Sequence, residues 1–328
     1  MNRRIYKLPF PPIPPMPDEI VDAIDSGNLL LFVGAGISKL MGYPLWSELG
    51  ENLANKAVKD GLLSLSEKEV LLNGRFTPMQ VVTLLSKTFD NVRPGLGLDR
   101  VIEELSTNVK ENGNAAEIAT YLSAYNATIV TTNADESLET KEPLSDRKIL
   151  KSFKDFDFDK FAQHSIIHLH GDISEPSGMV FTSEQYAEFY SVSSCFGQNL
   201  NDLFRKEWTI LFIGYGVSEF ELIRYFLKLK DDKVKRMFML DGYLAKDRIK
   251  YEFDEVYFRS LGIFLLPYSR EKNDYGQLLR VLKRWDKDVK TRTLAASAVR
   301  VNAIKNMTSQ RPFDESVEAI SRMINRNG

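Results

Sequence analysis

Leu29-Leu30-Leu31-Phe32-Val33-Gly34-Ala35-Gly36-Ile37-Ser38 is the stretch on which the reading of this chain turns. Five apolar residues run without interruption and end on Gly34-Ala35-Gly36. An unbroken run of that length suits a central strand of a parallel sheet, covered on both faces. Glycines directly after it let the backbone turn sharply and approach a pyrophosphate, whose charge then meets a helix N-terminus. The dehydrogenase fingerprint would place a third glycine at position 39, where Lys39 stands. On its own the loop reads either as a phosphate site or as a tight strand-helix turn without a ligand.

Downstream, apolar residues at helical spacing mark Pro44 to Lys59, with Leu45, Leu49, Leu53 and Val58 on the pattern. Ser66 and Glu69 read as a capping box, and Thr77-Pro78 as a helix start with a first-turn proline. Helical patterns continue over Leu98–Lys110 and Ala115–Tyr125. Strands are predicted at Ala127–Thr132, Ser165–His170, Gly178–Phe181, Trp208–Ile213, Arg236–Leu240 and Gly262–Leu266, with helices at Ser218–Lys230 and Tyr275–Trp285. Strands alternating with helices give an α/β fold: a Rossmann-like doubly wound parallel sheet. Residues 60–125 break the alternation and read as an inserted helical subdomain. The domain proper is expected over 20–288. A helical C-terminal tail, 289–328, ends mid-pattern, as a docking helix or the start of a further domain would.

Upstream, Leu8-Pro9-Phe10-Pro11-Pro12-Ile13-Pro14-Pro15-Met16-Pro17 favours polyproline II. Residues 1–19 are read as an arm packed on its own domain or on a neighbouring subunit, since Phe10, Ile13 and Met16 give it something to bury. A ligand for a proline-recognising module is the alternative. A short helix over Pro17–Ser26 precedes the first strand.

Composition narrows the function classes. Lys+Arg 43 against Asp+Glu 45 leaves a net charge of -2, so no global field draws nucleic acid or an acidic membrane. One cysteine, Cys195, forbids an internal disulfide and any zinc site built on paired cysteines. A cytoplasmic setting follows, with neither a membrane span nor a signal-peptide core in view.

Three further clusters carry chemistry. Thr131-Thr132-Asn133-Ala134-Asp135 lies at a predicted strand end, the sheet edge where open α/β folds bind ligands. Asn133 offers a donor and an acceptor to ribose hydroxyls and water, and Asp135 can accept from an amide. Both residues also suit mere turn and helix capping. The second cluster, His168-Leu169-His170-Gly171-Asp172, holds two of the three histidines, with His164 just before. Alternation puts His168 and His170 on one strand face. No metal site is expected there, and His170 reads as a base near neutral pH or a structural histidine. Phe212-Ile213-Gly214-Tyr215-Gly216-Val217-Ser218 is a second strand, glycine turn and helix start, able to close on the other side of a dinucleotide.

In this order the four clusters, with Gly42-Tyr43-Pro44-Leu45-Trp46, resemble the sirtuin-like NADase domains of prokaryotic antiphage defence effectors, over residues 20–270. The resemblance implies NAD as substrate, cleaved to nicotinamide and ADP-ribose, with no zinc. It implies that Gly34, Ala35, Gly36 and Ser38 hold the pyrophosphate, with Trp46, Gly214, Tyr215 and Ser218 lining the rest of the site. Asn133 would position ribose and the attacking water, Asp135 the carboxamide, and His170 would be the catalytic histidine. Asp241 would contact the adenosine ribose. Family members often carry an aromatic residue where Ala134 stands, which opens one wall of the nicotinamide pocket. Protein-deacylating sirtuins need a paired-cysteine zinc module, and their acidic-aromatic-arginine stretch is here Leu45-Trp46-Ser47-Glu48. The resemblance further implies a homo-oligomer and an activating partner, such as a ring ATPase, an Argonaute-like protein or a phage protein, or a fused sensor domain. A non-catalytic NAD or ADP-ribose sensor is the rival reading. A deacylase and, more distantly, a dehydrogenase follow.

Overall fold

The computed structural model describes residues 10–107, 114–151, 157, 164–191, 195–204, 207–216, 220–230 and 236–310. Among these, seven strands form one sheet: β1 (Leu29–Val33), β2 (Thr128–Thr131), β3 (Ile149–Leu150), β4 (Ile166–His168), β5 (Thr209–Ile213), β6 (Met237–Tyr243) and β7 (Ile263–Ser269). Their order is β3-β4-β2-β1-β5-β6-β7, and every pairing is parallel. The architecture is Rossmann-like α/β. All five β1 residues are fully buried, as a central strand with helices on both faces demands. From β1 the chain moves to β2 on one side, and from β5 to β6 on the other. The topological switch point therefore lies between β1 and β5, which pair in register from Leu29↔Thr209 to Val33↔Ile213. A ligand crevice opens at the C-terminal ends of such a strand pair.

The helices are α1 (Asp18–Ser26), α2 (Ala35–Leu40), α3 (Trp46–Lys59), α4 (Leu65–Leu72), α5 (Pro78–Asp90), α6 (Leu96–Thr107), α7 (Asn114–Ser123), α8 (Ser183–Phe189), α9 (Cys195–Leu203), α10 (Phe220–Leu229), α11 (Arg248–Ser260) and α12 (Gly276–Gln310). Thr77 caps α5 as its sequence indicated: its hydroxyl accepts from the Gln80 amide while the Gln80 side chain accepts from the Thr77 amide. The box expected at Ser66 and Glu69 lies two residues earlier. Ser64 takes the extended cap conformation, its hydroxyl accepts from the Glu67 amide at 3.2 Å, and its own amide donates to Glu67 at 2.7 Å. The same spacing occurs twice in Ser64-Leu65-Ser66-Glu67-Lys68-Glu69, and the earlier copy wins.

Two apolar clusters among the described residues bear on the site. One lies under the sheet, with Phe32, Phe212, Phe226 and Trp208 at its centre. The other knits α3, α5 and α6 together through Leu53, Val82, Leu85 and Phe89. Met179-Val180-Phe181 links them. The expected strand over Gly178–Phe181 does not form: Pro176–Gly178 is a short 3-10 turn, and Val180 makes one backbone bond, its amide donating to the His170 carbonyl at 2.9 Å. The strand-like alternation has another cause. Met179 and Phe181 enter the helical core, while Val180 enters the sheet core.

From Phe10 the proline-rich arm lies on its own domain. Phe10 is buried with its ring 5.3 Å from Tyr243 and 5.2 Å from Tyr251, and the Pro11 carbonyl accepts from the Ser269 amide. The chain divides into two compact units, Met1–Leu282 and Lys283–Gly328. The described part of the second is the continuation of α12 to Gln310. No helix among the described residues is long and apolar enough to cross a membrane.

Candidate active site

The site starts where two glycine turns meet. The Gly34 amide donates to the Ile213 carbonyl at 3.0 Å and the Gly36 amide to the Gly214 carbonyl at 2.9 Å. Sequence reasoning reserved these glycines for a pyrophosphate. The structure gives them an earlier duty, since a Cβ at Gly34 would lie 2.5 Å from the Gly214 carbonyl oxygen and one at Gly36 2.8 Å from Gly214 Cα. Gly214 itself has φ +61°, the left-handed region that favours glycine. The two turns are thus stitched backbone to backbone at the switch point.

Beside them, β2 delivers Asn133. The Thr131 hydroxyl donates across to the Val33 carbonyl at 2.9 Å and accepts from the Asn133 amide at 3.0 Å. Asn133 Nδ2 donates to Ser38 Oγ at 2.7 Å. The Asn133 carbonyl faces His168 Nδ1 at 3.1 Å. A carbonyl only accepts, so Nδ1 carries the proton. Backbone and side-chain nitrogen are therefore both held. Among the described residues nothing donates to Asn133 Oδ1, the atom left to meet a ligand. Ala35, Ser38, Trp46, Asn133 and Asp135 line a common cavity of about 40 Å³, with Met179, Val180 and Phe181 opposite. That is room for about one or two waters, so a nicotinamide ring enters only if the walls separate. Trp46 is shared with a second, larger cavity of about 700 Å³ that reaches the 73–77 turn.

Asp135 is buried, and its carboxylate accepts from the Ser137 amide at 3.1 Å. Burial raises its pKa above the ordinary carboxylate value, although hydrogen bonds from Ser137 and Ser38 pull the other way. A group with a raised folded-state pKa binds more protons folded than unfolded, so stability falls as pH rises through that window. Asp135→Asn is therefore expected to melt with wild-type below about pH 4, the unfolded aspartate range, and above it at pH 7. Equal or lower stability at pH 7, by thermal denaturation, would show that the buried carboxylate carries no cost.

His170 departs from its expectation. β4 stops at His168, and Gly171 turns the chain at φ +74°. The two histidines consequently do not share a partner. His170 is buried, with Nε2 2.6 Å from the Tyr190 hydroxyl and Nδ1 3.1 Å from the Tyr186 hydroxyl. Burial depresses its pKa to about 3, far from the neutral range the sequence suggested. The ring is neutral at pH 7 but is occupied by tyrosines, and it does not line the small cavity. The tyrosines stand four apart at the end of α8, one turn of helix, a spacing that the sequence displayed.

The remaining expected residues lie apart. The Tyr215 ring stacks on Phe212 at 5.8 Å and sits 5.1 Å from Phe32, inside the sheet core. Asp241 is on β6, away from the cavity; it accepts from the Gly242 amide, and burial raises its pKa. Ser218 lies outside the described residues. Sequence reasoning missed Glu139 and gave Asp172, the last residue of its second cluster, no role; the fold brings both to His168.

Residues 127–260 match the family model of the SIR2-like domain. The chain is 24% identical to a protein of Enterococcus faecium named NAD(+) hydrolase ThsA, over 94% of this chain and 65% of that one. A protein of the same name from Bacillus cereus (strain MSX-D12) is 23% identical, over 84% of this chain and 58% of its own length. Defense-associated sirtuin 2 of Bacillus subtilis is 22% identical, over 80% of this chain and 25% of its own. The chain thus spans less than two thirds of the length of these relatives.

Proposed function

We propose that this chain, similar over most of its length to proteins named NAD(+) hydrolases and matching the SIR2-like domain at 127–260, hydrolyses NAD to nicotinamide and ADP-ribose. One observation carries the reading. Asn133 is fixed by its backbone and its Nδ2, leaving Oδ1 at a cavity shared with Ser38, Trp46 and Asp135, on the ligand edge of the sheet.

In this mechanism the dinucleotide spans the switch point, its pyrophosphate beside the Gly34–Gly36 turn and the second turn at Gly214. Asp135 accepts from the carboxamide. The bond from ribose C1′ to the ring nitrogen breaks and its electron pair leaves with neutral nicotinamide. The oxocarbenium-like sugar is then attacked by a water that Asn133 Oδ1 orients, and the water's proton passes to His170. A neutral imidazole is the form a base needs, but burial holds its pKa near 3, so His170 takes that proton only in an opened site where water reaches the ring; general-base help is then typically worth about 10²–10⁴-fold. The Tyr190 hydroxyl now occupies Nε2, so the base is available only after that hydrogen bond is exchanged. This, with a cavity of about 40 Å³, supports reading the enzyme as an effector switched on by oligomerisation or an activating partner. Depletion of NAD in antiphage defence is the role such an enzyme would serve.

The small cavity favours a second reading, a sensor that binds NAD or ADP-ribose without turnover. Concentrated full-length chain, with its oligomeric state measured in parallel, is expected to release nicotinamide and ADP-ribose in equal amounts. Saturable NAD binding with no nicotinamide in any oligomeric state would leave the sensor standing. A lysine deacylase is disfavoured by the single cysteine.

A further inference from the structure

Behind the Asn133 loop lies a buried polar cluster that the proposed hydrolysis does not use. His168 ends β4 and is wholly buried, as is Asp172, and Glu139 is 7% exposed. One ligand atom from each lies within 4.8 Å of those of the other two. His168 Nε2 is 3.0 Å from Glu139 Oε1, yet makes no aligned hydrogen bond to it. Nε2, both Glu139 oxygens and Asp172 Oδ2 are all buried without a hydrogen-bond partner. Two buried carboxylates so placed are costly unless a cation sits between them. Lys151 contributes from the rim only: its Nζ is 3.6 Å from Asp172 Oδ2 and closer, at 2.9 Å, to Glu136.

The orientation of each group is already set. His168 donates Nδ1–H to the Asn133 carbonyl, so Nε2 is the nitrogen turned toward the carboxylates. Metal-bound histidines characteristically give their second N–H to a carbonyl or carboxylate in this way. Asp172 Oδ1 accepts from the amides of Ser174 at 2.8 Å and Glu175 at 3.2 Å, which fixes Oδ2 on the cluster side. Donor atoms about 2.0–2.2 Å from a shared ion stand roughly 3–3.5 Å apart, and Nε2 and Oε1 already meet that spacing.

We propose that Glu139, His168 and Asp172 bind one divalent transition cation of the zinc or manganese class. The imidazole selects against calcium and magnesium, which prefer all-oxygen shells. Through His168 the ion braces the carbonyl of Asn133, and so the loop that presents Oδ1.

The test is metal content, and it stands whether or not NAD is cleaved. Full-length chain is stripped with a chelator, then titrated with Zn²⁺ and with Co²⁺ as a spectroscopic probe. The expected result is one ion per chain, visible Co²⁺ d–d bands and a raised melting temperature with Zn²⁺. Glu139→Gln and His168→Gln are expected to weaken binding beyond the about 10–100-fold typical of outer-shell partners. Should folded wild-type chain take up no stoichiometric ion, or should both variants bind as wild-type does, the proposal is overturned and the cluster is a metal-free ion pair. The Co²⁺ spectrum of the wild-type chain decides the matter even if a variant fails to fold.

Discussion

Asn133→Ala is expected to lower nicotinamide release by at least about 10²-fold, the scale on which misplacing a reactant is felt, while NAD still binds. The asymmetry follows from where the side chain sits. Nδ2 is committed to Ser38 Oγ at 2.7 Å, so only Oδ1 is in play, and alanine removes it without touching either glycine turn. The backbone bonds to Thr131 and His168 survive the change, so the loop keeps its path. The predicted signature is a fall in kcat with KM changed little, read from steady-state nicotinamide release beside calorimetric NAD binding. Asn133→Asp keeps an oxygen at Oδ1, but it sets a second carboxylate near buried Asp135, with which it competes for the single proton of the Ser38 hydroxyl. It should fall between wild-type and alanine. Wild-type turnover by Asn133→Ala would remove the residue from the mechanism.

The sheet was legible because its signal is local and strong. Five consecutive buried residues in β1 and four in β5 cannot be satisfied by a strand with a solvated face, and the glycines after each announce a turn. Met179-Val180-Phe181 misled for an instructive reason. Alternation records that successive side chains face opposite ways, and here the two ways are two different cores. Nothing in a period of two says whether a backbone ladder exists.

The site divides along a similar line. Ser38, Trp46, Asn133 and Asp135 share a cavity because they lie a few residues beyond the ends of β1 and β2 or, for Trp46, at the start of α3. His170 was found by its motif, but its environment was not, because a pKa near 3 is made by burial under Tyr186 and Tyr190. Glu139 stayed hidden for want of any local pattern, and Asp172 was visible only as the end of its motif, without a partner. Their meeting with His168 depends on β2 and β4 lying side by side, which the register Thr131↔His168 fixes and spacing alone does not.

Gly34→Ala is the substitution expected to cost most in fold and ligand binding together. The new Cβ would stand 2.5 Å from the Gly214 oxygen, 2.6 Å from Tyr215 Cα and 2.8 Å from Tyr215 Cβ. Two of these are backbone atoms and none can rotate aside, so the turns must part. Overpacking of this kind costs about 1–3 kcal/mol, and each kcal/mol moves the melting temperature of a domain this large by about 2–4 °C. Because the strain is released by shifting the two turns beside which the pyrophosphate is proposed to lie, NAD affinity should fall as well. Two other glycines calibrate the result. Gly61 has φ +74° with nothing within 4 Å of a Cβ, so Gly61→Ala carries backbone strain alone, about 1–2 kcal/mol. At Gly216 a Cβ likewise meets nothing within 4 Å and φ lies outside the left-handed region, so Gly216→Ala should leave the melting temperature unchanged. Thermal denaturation of the three variants is expected to rank them in that order. If Gly34→Ala melted with Gly216→Ala, the two turns would not be in the close contact on which the crevice depends.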